Sequence, residues 1–101
     1  MAIADYDEVI DNSRNYAAAH YWRALAYEAK KDYENAEDDY SKAIKIDPKD
    51  ALYYYGRGVF YNNREKYEKS VADLTRAVEI NPKDADNYFW RGLSYRKQNN
   101  L

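Results

Sequence analysis

The hexapeptides KIDPKD and EINPKD both occur in this chain, and their prolines lie 34 residues apart. Self-similarity at such an interval is typical of repeat proteins, and it constrains the fold more strongly than composition does. Proline disfavours helix in the residue before it, so we expect helices to end at Asp47 and Asn81. Asp50 and Asp84 are suitable N-caps for the helices that follow. Each hexapeptide therefore predicts the end of one helix and the start of the next.

The same interval relates the rest of the chain. Shifting the sequence by 34 residues brings residues 17–50 onto residues 51–84, and the aligned positions agree in residue type. The aligned sets include Tyr27, Tyr61 and Tyr95; Arg23, Arg57 and Arg91; and Ala24, Gly58 and Gly92. Apolar and small residues recur at helical spacing, as at Ala36, Tyr40 and Ala43. Each unit is therefore predicted to be two amphipathic helices of about 14 residues each.

In these positions the chain resembles the tetratricopeptide repeat family. The family pattern has an aromatic residue, a small residue and Tyr, followed by Ala, an aromatic residue, Ala and Pro. One unit supplies His20, Ala24, Tyr27, Ala36, Tyr40, Ala43 and Pro48, and the next supplies Tyr54, Gly58, Tyr61, Ser70, Leu74, Ala77 and Pro82. The resemblance implies an all-α fold, a right-handed α–α superhelix called a tetratricopeptide solenoid. The chain departs from the pattern in that no glycine marks the turns near Lys31 and Glu65.

The repeat frame predicts one domain of six antiparallel helices. Residues 1–16 align with a second helix and its turn, residues 17–50 and 51–84 are full repeats, and residues 85–101 align with a first helix. Second (B) and first (A) helices therefore alternate in the order B-A-B-A-B-A.

Both ends of this frame lack a neighbouring helix. We expect the exposed residues there to be Ala2, Tyr6 and Val9 at one end and Tyr88, Gly92 and Tyr95 at the other. Exposed apolar faces favour association, so these residues predict self-association, either head-to-tail or as a symmetric dimer. The alternative is an excised or engineered fragment whose ends fray.

Composition argues against several function classes. A net charge of −2 gives no electrostatic reason to expect nucleic acid or an anionic membrane as a partner. No apolar run approaches the roughly 20 residues of a transmembrane helix, and the start of the chain is too polar for a signal peptide. The absence of cysteine fits a reducing compartment. We therefore predict a cytoplasmic protein without metal or cofactor.

Catalysis is not predicted either. His20 is the single histidine, and its sequence neighbours offer neither a nucleophile nor a carboxylate that would orient it. It aligns with Tyr54 and Tyr88, which indicates a core position. The chain is therefore not expected to be an enzyme.

Aspartate and arginine also recur with the period. Asp5, Asp39 and Asp73 each precede an arginine by 18 residues, the arginines being Arg23, Arg57 and Arg91. This spacing predicts an Asp–Arg pair between consecutive helices that fixes their register. A row of arginines for anionic ligands is the alternative.

In the tetratricopeptide repeat family, the first helices line a concave surface that holds peptides or partner helices. The register places on this surface Tyr21, Trp22, Leu25, Leu52, Tyr55, Val59, Asn62, Phe89, Trp90, Leu93 and Arg96. Rigid aromatic residues are typical of interaction hot spots, although Trp22 and Trp90 could instead cover neighbouring helices as part of the core.

Some relatives hold a chaperone's C-terminal carboxylate with a lysine, asparagine and arginine set. The matching positions here are Tyr21, Leu25, Gly56, Asp86 and Trp90, which cannot do this. The resemblance implies a non-catalytic interaction module for an apolar or amphipathic segment. The alternative is a self-assembling or engineered repeat protein whose main partner is itself.

Overall fold

The computed structural model describes residue 3 and residues 16–99, and residues 17–99 contain five α-helices. These helices are α1 (Ala17–Ala29), α2 (Tyr33–Ile46), α3 (Ala51–Asn63), α4 (Tyr67–Ile80) and α5 (Ala85–Asn99). The additional helix predicted within residues 1–16 falls on a segment of which only residues 3 and 16 are described. The chain divides into two compact units, one ending at Pro48 and the other beginning at Lys49. The prediction of a single domain therefore stays a prediction.

The two proline turns separate helices as the sequence predicts. Helices α2 and α4 end one residue before Asp47 and Asn81. The carboxylates of Asp50 and Asp84 each accept a hydrogen bond at 3.0 Å from the backbone N–H two residues further on. Both aspartates thus satisfy an N–H that a helix start leaves without an intrahelical partner.

The turns after α1 and α3 contain left-handed residues that are not glycine. Lys31 has φ of 65° and Glu65 has φ of 63°. At the first turn, the N–H of Asp32 donates to the carbonyl of Tyr27 and the N–H of Lys31 donates to that of Glu28, both at 2.9 Å. The equivalent two bonds around Glu65 measure 2.8 and 3.1 Å. This is the Schellman motif, in which glycine is the usual left-handed residue.

The predicted core positions are buried in both units. In the first unit α1 packs against α2, and Ala24, Ala36, Tyr40 and Ala43 are fully buried. In the second unit α4 packs against both α3 and α5. Its buried residues include Tyr54, Gly58, Tyr61, Ser70, Leu74 and Ala77. The helical spacing of these small and apolar residues in the sequence therefore predicted their burial correctly.

Tyr40 combines apolar packing with a polar contact. Its ring meets the ring of Tyr21 edge-on, with centroids 5.8 Å apart, and its hydroxyl donates to a Glu28 carboxylate oxygen at 2.6 Å. Burial and this hydrogen bond raise the pKa of the Tyr40 phenol above its ordinary value. The neutral phenol is therefore strongly favoured in the folded protein.

Each unit also contains a bidentate ion pair between its two helices. Arg23 donates to Asp39 at 2.6 and 2.7 Å, and Arg57 donates to Asp73 at 2.7 and 2.8 Å. Burial opposes the charge on Arg57, but the hydrogen bond and charge of Asp73 outweigh it, so the pKa of Arg57 is raised. Both aspartates are buried, and each pair fixes the register of one helix against the next.

The predicted partners within these pairs were wrong. The sequence spacing paired each aspartate with the arginine 18 residues later, whereas the structure pairs it with the arginine 16 residues earlier. The reason is that the two helices of one hairpin face each other directly, so the arginine of the first helix meets the aspartate of the second. Asp5 lies outside the described residues.

A buried polar network joins α3, α4 and α5. The Ser70 hydroxyl donates to the backbone carbonyl of Gly58 at 2.7 Å and lies 2.8 Å from the Ser94 hydroxyl. Ser94 donates in turn to the side-chain oxygen of Asn62 at 3.1 Å. These bonds satisfy polar groups that would be costly to bury alone. They also fix the three helices of the second unit relative to one another.

Candidate partner-binding surface

Two helices of the second unit present a row of exposed and partly exposed apolar side chains. We define the α3–α5 surface as Leu52, Tyr55 and Val59 of α3 with Phe89, Trp90, Leu93 and Arg96 of α5. Leu52 is 47% exposed and Phe89 is 63% exposed. Tyr55, Val59, Trp90 and Leu93 are partly buried, and Arg96 is exposed. Spacings of three, four and seven residues place the α3 residues on one helix face, and likewise Phe89, Leu93 and Arg96 on one face of α5, while Trp90 lies three residues before Leu93.

A hydrogen bond connects the two helices at the centre of this surface. The indole N–H of Trp90 donates to the hydroxyl of Tyr55, and the Phe89 ring meets the Trp90 ring edge-on, with centroids 5.8 Å apart. Burial and the negative charges of Asp86 and Asp84 raise the pKa of Tyr55, while the Trp90 bond opposes that shift. Tyr55 and Trp90 therefore link α3 and α5 at the centre of the surface, and Phe89 packs beside Trp90.

One end of the α3–α5 surface opens into an acidic pocket. The pocket has a volume of about 300 Å³ and is lined by Asp50, Ala51, Leu52, Tyr55, Asn81, Asp84, Asp86 and Asn87. The three aspartates come from the starts of α3 and α5, where Asp50 and Asp84 cap their helices. Leu52 and Tyr55 supply the apolar part of its wall. The charge makes this end unfavourable for an acidic peptide tail.

Two predicted surface residues are instead buried. Tyr21 packs against Tyr40 in the first unit. Asn62 is 2% exposed and accepts its hydrogen bond from Ser94 within the network described above. Both side chains are therefore inaccessible to a binding partner in this structure. Sequence register placed both on the correct helix but could not show which side chains neighbouring residues cover.

The first unit has its own exposed apolar residues. Trp22 and Leu25 both project from α1 with exposed side chains. The Trp22 ring is in edge-on contact with Tyr16, with centroids 6.4 Å apart. Trp22 is thus accessible, its place on a partner-binding surface stays a prediction, and Tyr16 is a neighbour that the sequence did not identify.

The predicted self-association residues divide between the described and undescribed parts of the chain. Tyr88 and Tyr95 on α5 are 44% and 47% exposed, and Gly92 between them is also exposed. Ala2, Tyr6 and Val9 lie outside the described residues. On α5, Tyr88 and Tyr95 are seven residues apart and share one side of the helix, whereas Phe89 and Leu93 are four residues apart and share a neighbouring side.

The single histidine is part of the core. His20 is buried, and its Nδ1 lies 3.1 Å from an Asp39 carboxylate oxygen. That carboxylate is the one already bound by Arg23. The sequence had offered no carboxylate partner because Asp39 comes from the second helix. Among the described residues, no group of three or more His, Cys, Asp or Glu side chains could hold a metal ion.

What sequence reasoning missed is the acidic pocket. Its signal was present, because Asp50 and Asp84 recur at the 34-residue interval and each precedes a helix that contributes to the surface. Reading them as helix caps was correct, but their second role as pocket walls depends on how α3 and α5 lie side by side. None of the helices within residues 16–99 is long and apolar enough to cross a membrane.

Family models agree with the repeat frame. Models described as tetratricopeptide repeat match residues 17–50 and 39–72, and one described as TPR repeat matches residues 61–99. The chain belongs to the tetratricopeptide repeat family. No curated protein sequence matches this chain.

Solved structures show the same fold. The first TPR of Spaghetti (RPAP3), bound to the HSP90 peptide SRMEEVD, is similar with a TM-score of 0.87 and 22% identity, over 93% of this chain and 75% of that chain. The Arabidopsis OM64 TPR domain has a TM-score of 0.85 and 24% identity, over 93% and 78%. MamA has a TM-score of 0.86 and 23% identity, over 96% of this chain and 57% of that chain. The predicted class, an all-α tetratricopeptide solenoid, is therefore confirmed.

Proposed function

We propose that this protein is a non-catalytic, cytoplasmic interaction module whose α3–α5 surface binds an apolar or amphipathic segment of another protein. Family membership supports an interaction role, and one structural relative is bound to a peptide. The observation that carries the proposal is the exposure of Leu52 and Phe89 beside the contact between Tyr55 and Trp90. Apolar side chains of a partner would remove these two residues from water.

The preformed surface favours binding. Trp90 is partly buried and hydrogen-bonded to Tyr55, and the ring of Phe89 is in contact with that of Trp90. Side chains that are already ordered lose less conformational entropy when a partner binds. Aromatic residues of this kind supply large contact areas and are enriched among interaction hot spots.

The charge on the pocket restricts the partner. Asp50, Asp84 and Asp86 place negative charge at one end of the surface. An acidic segment such as SRMEEVD, which is bound by one structural relative, would be repelled there. We therefore propose that the partner segment is apolar or amphipathic without an acidic tail.

The absence of catalysis is part of the proposal. His20 is buried and its carboxylate neighbour Asp39 is engaged by Arg23, so this group of residues has the contacts of a structural core. Proton transfer would require a group within hydrogen-bond reach of a substrate.

A peptide array probed with the full chain tests the binding proposal. We expect apolar and amphipathic peptides to bind, and SRMEEVD not to bind. Leu52→Ser and Phe89→Ser should each weaken peptide binding about tenfold or more, as expected for loss of a hot-spot side chain. Ile80→Ser is the matched control, because Ile80 is an exposed apolar residue at the end of α4 outside the surface. Equal loss in all three variants, or retention in all three, would contradict the proposal.

Self-association is a second candidate function. It is favoured by a specific observation, namely that Tyr88, Gly92 and Tyr95 form an exposed side of α5. Measuring the mass in solution by light scattering over a range of concentrations tests it. A mass that increases with concentration supports self-association, and a mass that stays monomeric contradicts it.

A further inference from the structure

One side of α5 lacks the packing that the equivalent side of α3 has. A Cβ atom added to Gly58 of α3 would lie 2.7 Å from the Leu74 side chain of α4. A Cβ added to Gly92, the equivalent residue of α5, would have no atom within 4 Å among the residues described. Tyr88 and Tyr95 flank Gly92 on this open side. The open side of α5 therefore corresponds to the side of α3 that a second helix covers.

The arginine on this side has no carboxylate partner within residues 16–99. Arg23 and Arg57, the equivalent residues of α1 and α3, each bind an aspartate 16 residues later on the helix that covers them. Arg91 instead has a 3.5 Å contact with the Thr75 hydroxyl and lies 5.6 Å from the centre of the Tyr88 ring. Its guanidinium thus lacks the bidentate bond that the other two repeats make.

Helices α2 and α4 show what a helix packed on this side of α5 would carry. It would carry an aspartate where they carry Asp39 and Asp73. A large residue would follow the aspartate, as Leu74 of α4 follows Asp73 and lies against Gly58 of α3. The sequence of residues 1–16 has this pattern in the same 34-residue register, with Asp5 and then Tyr6. It also has small Ala2 three residues before Asp5, as α2 has Ala36 before Asp39.

We propose that the open side of α5 binds residues 1–16 of a second copy of this chain, so that Asp5 of the second copy pairs with Arg91 and Tyr6 of the second copy covers Gly92. This inference rests on the self-association proposed above and defines its geometry. The contact joins unlike ends, so repeated copies would extend into a filament or close into a ring. A symmetric contact of α5 with α5 would instead place the same surface on both sides, and residues 88–95 of that surface include no carboxylate that could pair with Arg91.

Exchanging the two charges tests this pairing. Arg91→Asp and Asp5→Arg are made separately in the full chain, and the mass of each is measured by sedimentation over a range of concentrations. Within either variant the two contacting residues carry the same charge, so we expect its self-association to be about tenfold weaker or more. In an equal mixture each variant supplies the complement of the other, and association should return to the wild-type level.

The outcomes separate the inference from the function on which it rests. A wild-type protein that stays monomeric overturns both self-association and the pairing. If the wild type associates, two results overturn the pairing and leave self-association in place. Either the single variants associate as well as the wild type, or the mixture of the two variants shows no recovery. Weak association of each variant alone and recovery on mixing support the pairing.

Two controls keep the result specific. Lys83→Asp makes the same charge change at an exposed residue of the turn before α5, and we expect wild-type association. Circular dichroism of each variant checks that its helices are retained. Loss of helix in Arg91→Asp would be contrary to the inference, because a residue whose described polar contact is one 3.5 Å bond should not be required for folding.

Discussion

Two glycines at the same repeat position provide a sharp test of the packing. A Cβ at Gly58 would lie 2.7 and 3.0 Å from two carbons of Leu74 and 3.4 Å from the Cβ of Asp73. Leu74 is fully buried, so it has little room to move. A Cβ at Gly92 would meet nothing within 4 Å among the described residues. The same substitution, glycine to alanine, should therefore have different effects at the two positions.

The expected sizes follow from helix propensity and packing. Replacing glycine by alanine inside a helix stabilises it by about 1 kcal/mol. Overpacking a well-packed core costs about 1–3 kcal/mol, which applies at Gly58. We therefore expect Gly92→Ala to raise the free energy of unfolding by about 1 kcal/mol and Gly58→Ala to lower it by roughly 0–2 kcal/mol. The two variants should differ by about 1–3 kcal/mol.

Urea unfolding measures this difference. Both variants and the wild type are compared at a protein concentration at which they are monomeric, so that contacts between copies do not contribute. In thermal unfolding, 1 kcal/mol corresponds to a change in Tm of about 4–8 °C for a chain of this size. The reasoning is refuted if Gly58→Ala stabilises the protein as much as Gly92→Ala does.

Three further predictions concern stability. Arg57→Leu should lower the free energy of unfolding by about 3 kcal/mol because it leaves the buried carboxylate of Asp73 without its partner. The folded fraction should still bind peptide. Unchanged stability in urea unfolding would contradict this prediction. Because burial and the Glu28 hydrogen bond raise the pKa of Tyr40 in the folded state, its contribution to the free energy of unfolding is fully present below the unfolded pKa of about 10. Above that pH the contribution is lost by about 1.4 kcal/mol per pH unit. Tyr40→Phe should therefore reduce the alkaline slope in urea titrations above about pH 10, leaving the part that the raised pKa of Tyr55 contributes, and an unchanged slope would disprove the assignment. Lys31→Gly and Glu65→Gly should each raise Tm slightly. A left-handed conformation costs about 1–2 kcal/mol in a residue with a Cβ, and the larger conformational entropy that glycine loses on folding offsets about half of this gain. A fall in Tm would argue against strain at these turns.

The helix boundaries and the core could be predicted because their causes are local. Proline and the capping aspartates determine where helices stop and start, and the 34-residue interval aligns the buried tyrosines and alanines. The left-handed turns at Lys31 and Glu65 could not be predicted, since the usual glycine is absent. There the two hydrogen bonds of each Schellman motif hold a less favourable residue in place.

Contacts between helices were harder to predict. The period is equally compatible with an arginine 16 residues before an aspartate or 18 residues after it, and which arginine binds depends on which helices face each other. Asn62 lies at a repeat position that the family uses for its binding surface. It is buried here and accepts a hydrogen bond from Ser94, which in turn contacts Ser70. A helical pattern gives the direction of a side chain but not the partner that it meets.

Mapping amide chemical shifts by NMR while the tightest peptide from the array is added tests the proposed binding surface most directly. We expect the largest shifts at Leu52, Tyr55, Phe89 and the Trp90 indole N–H, because these groups form the α3–α5 surface and its central hydrogen bond. Saturable shifts confined to these residues would support the proposed function. Largest shifts at exposed residues of α4, such as Lys69 and Arg76, would contradict it.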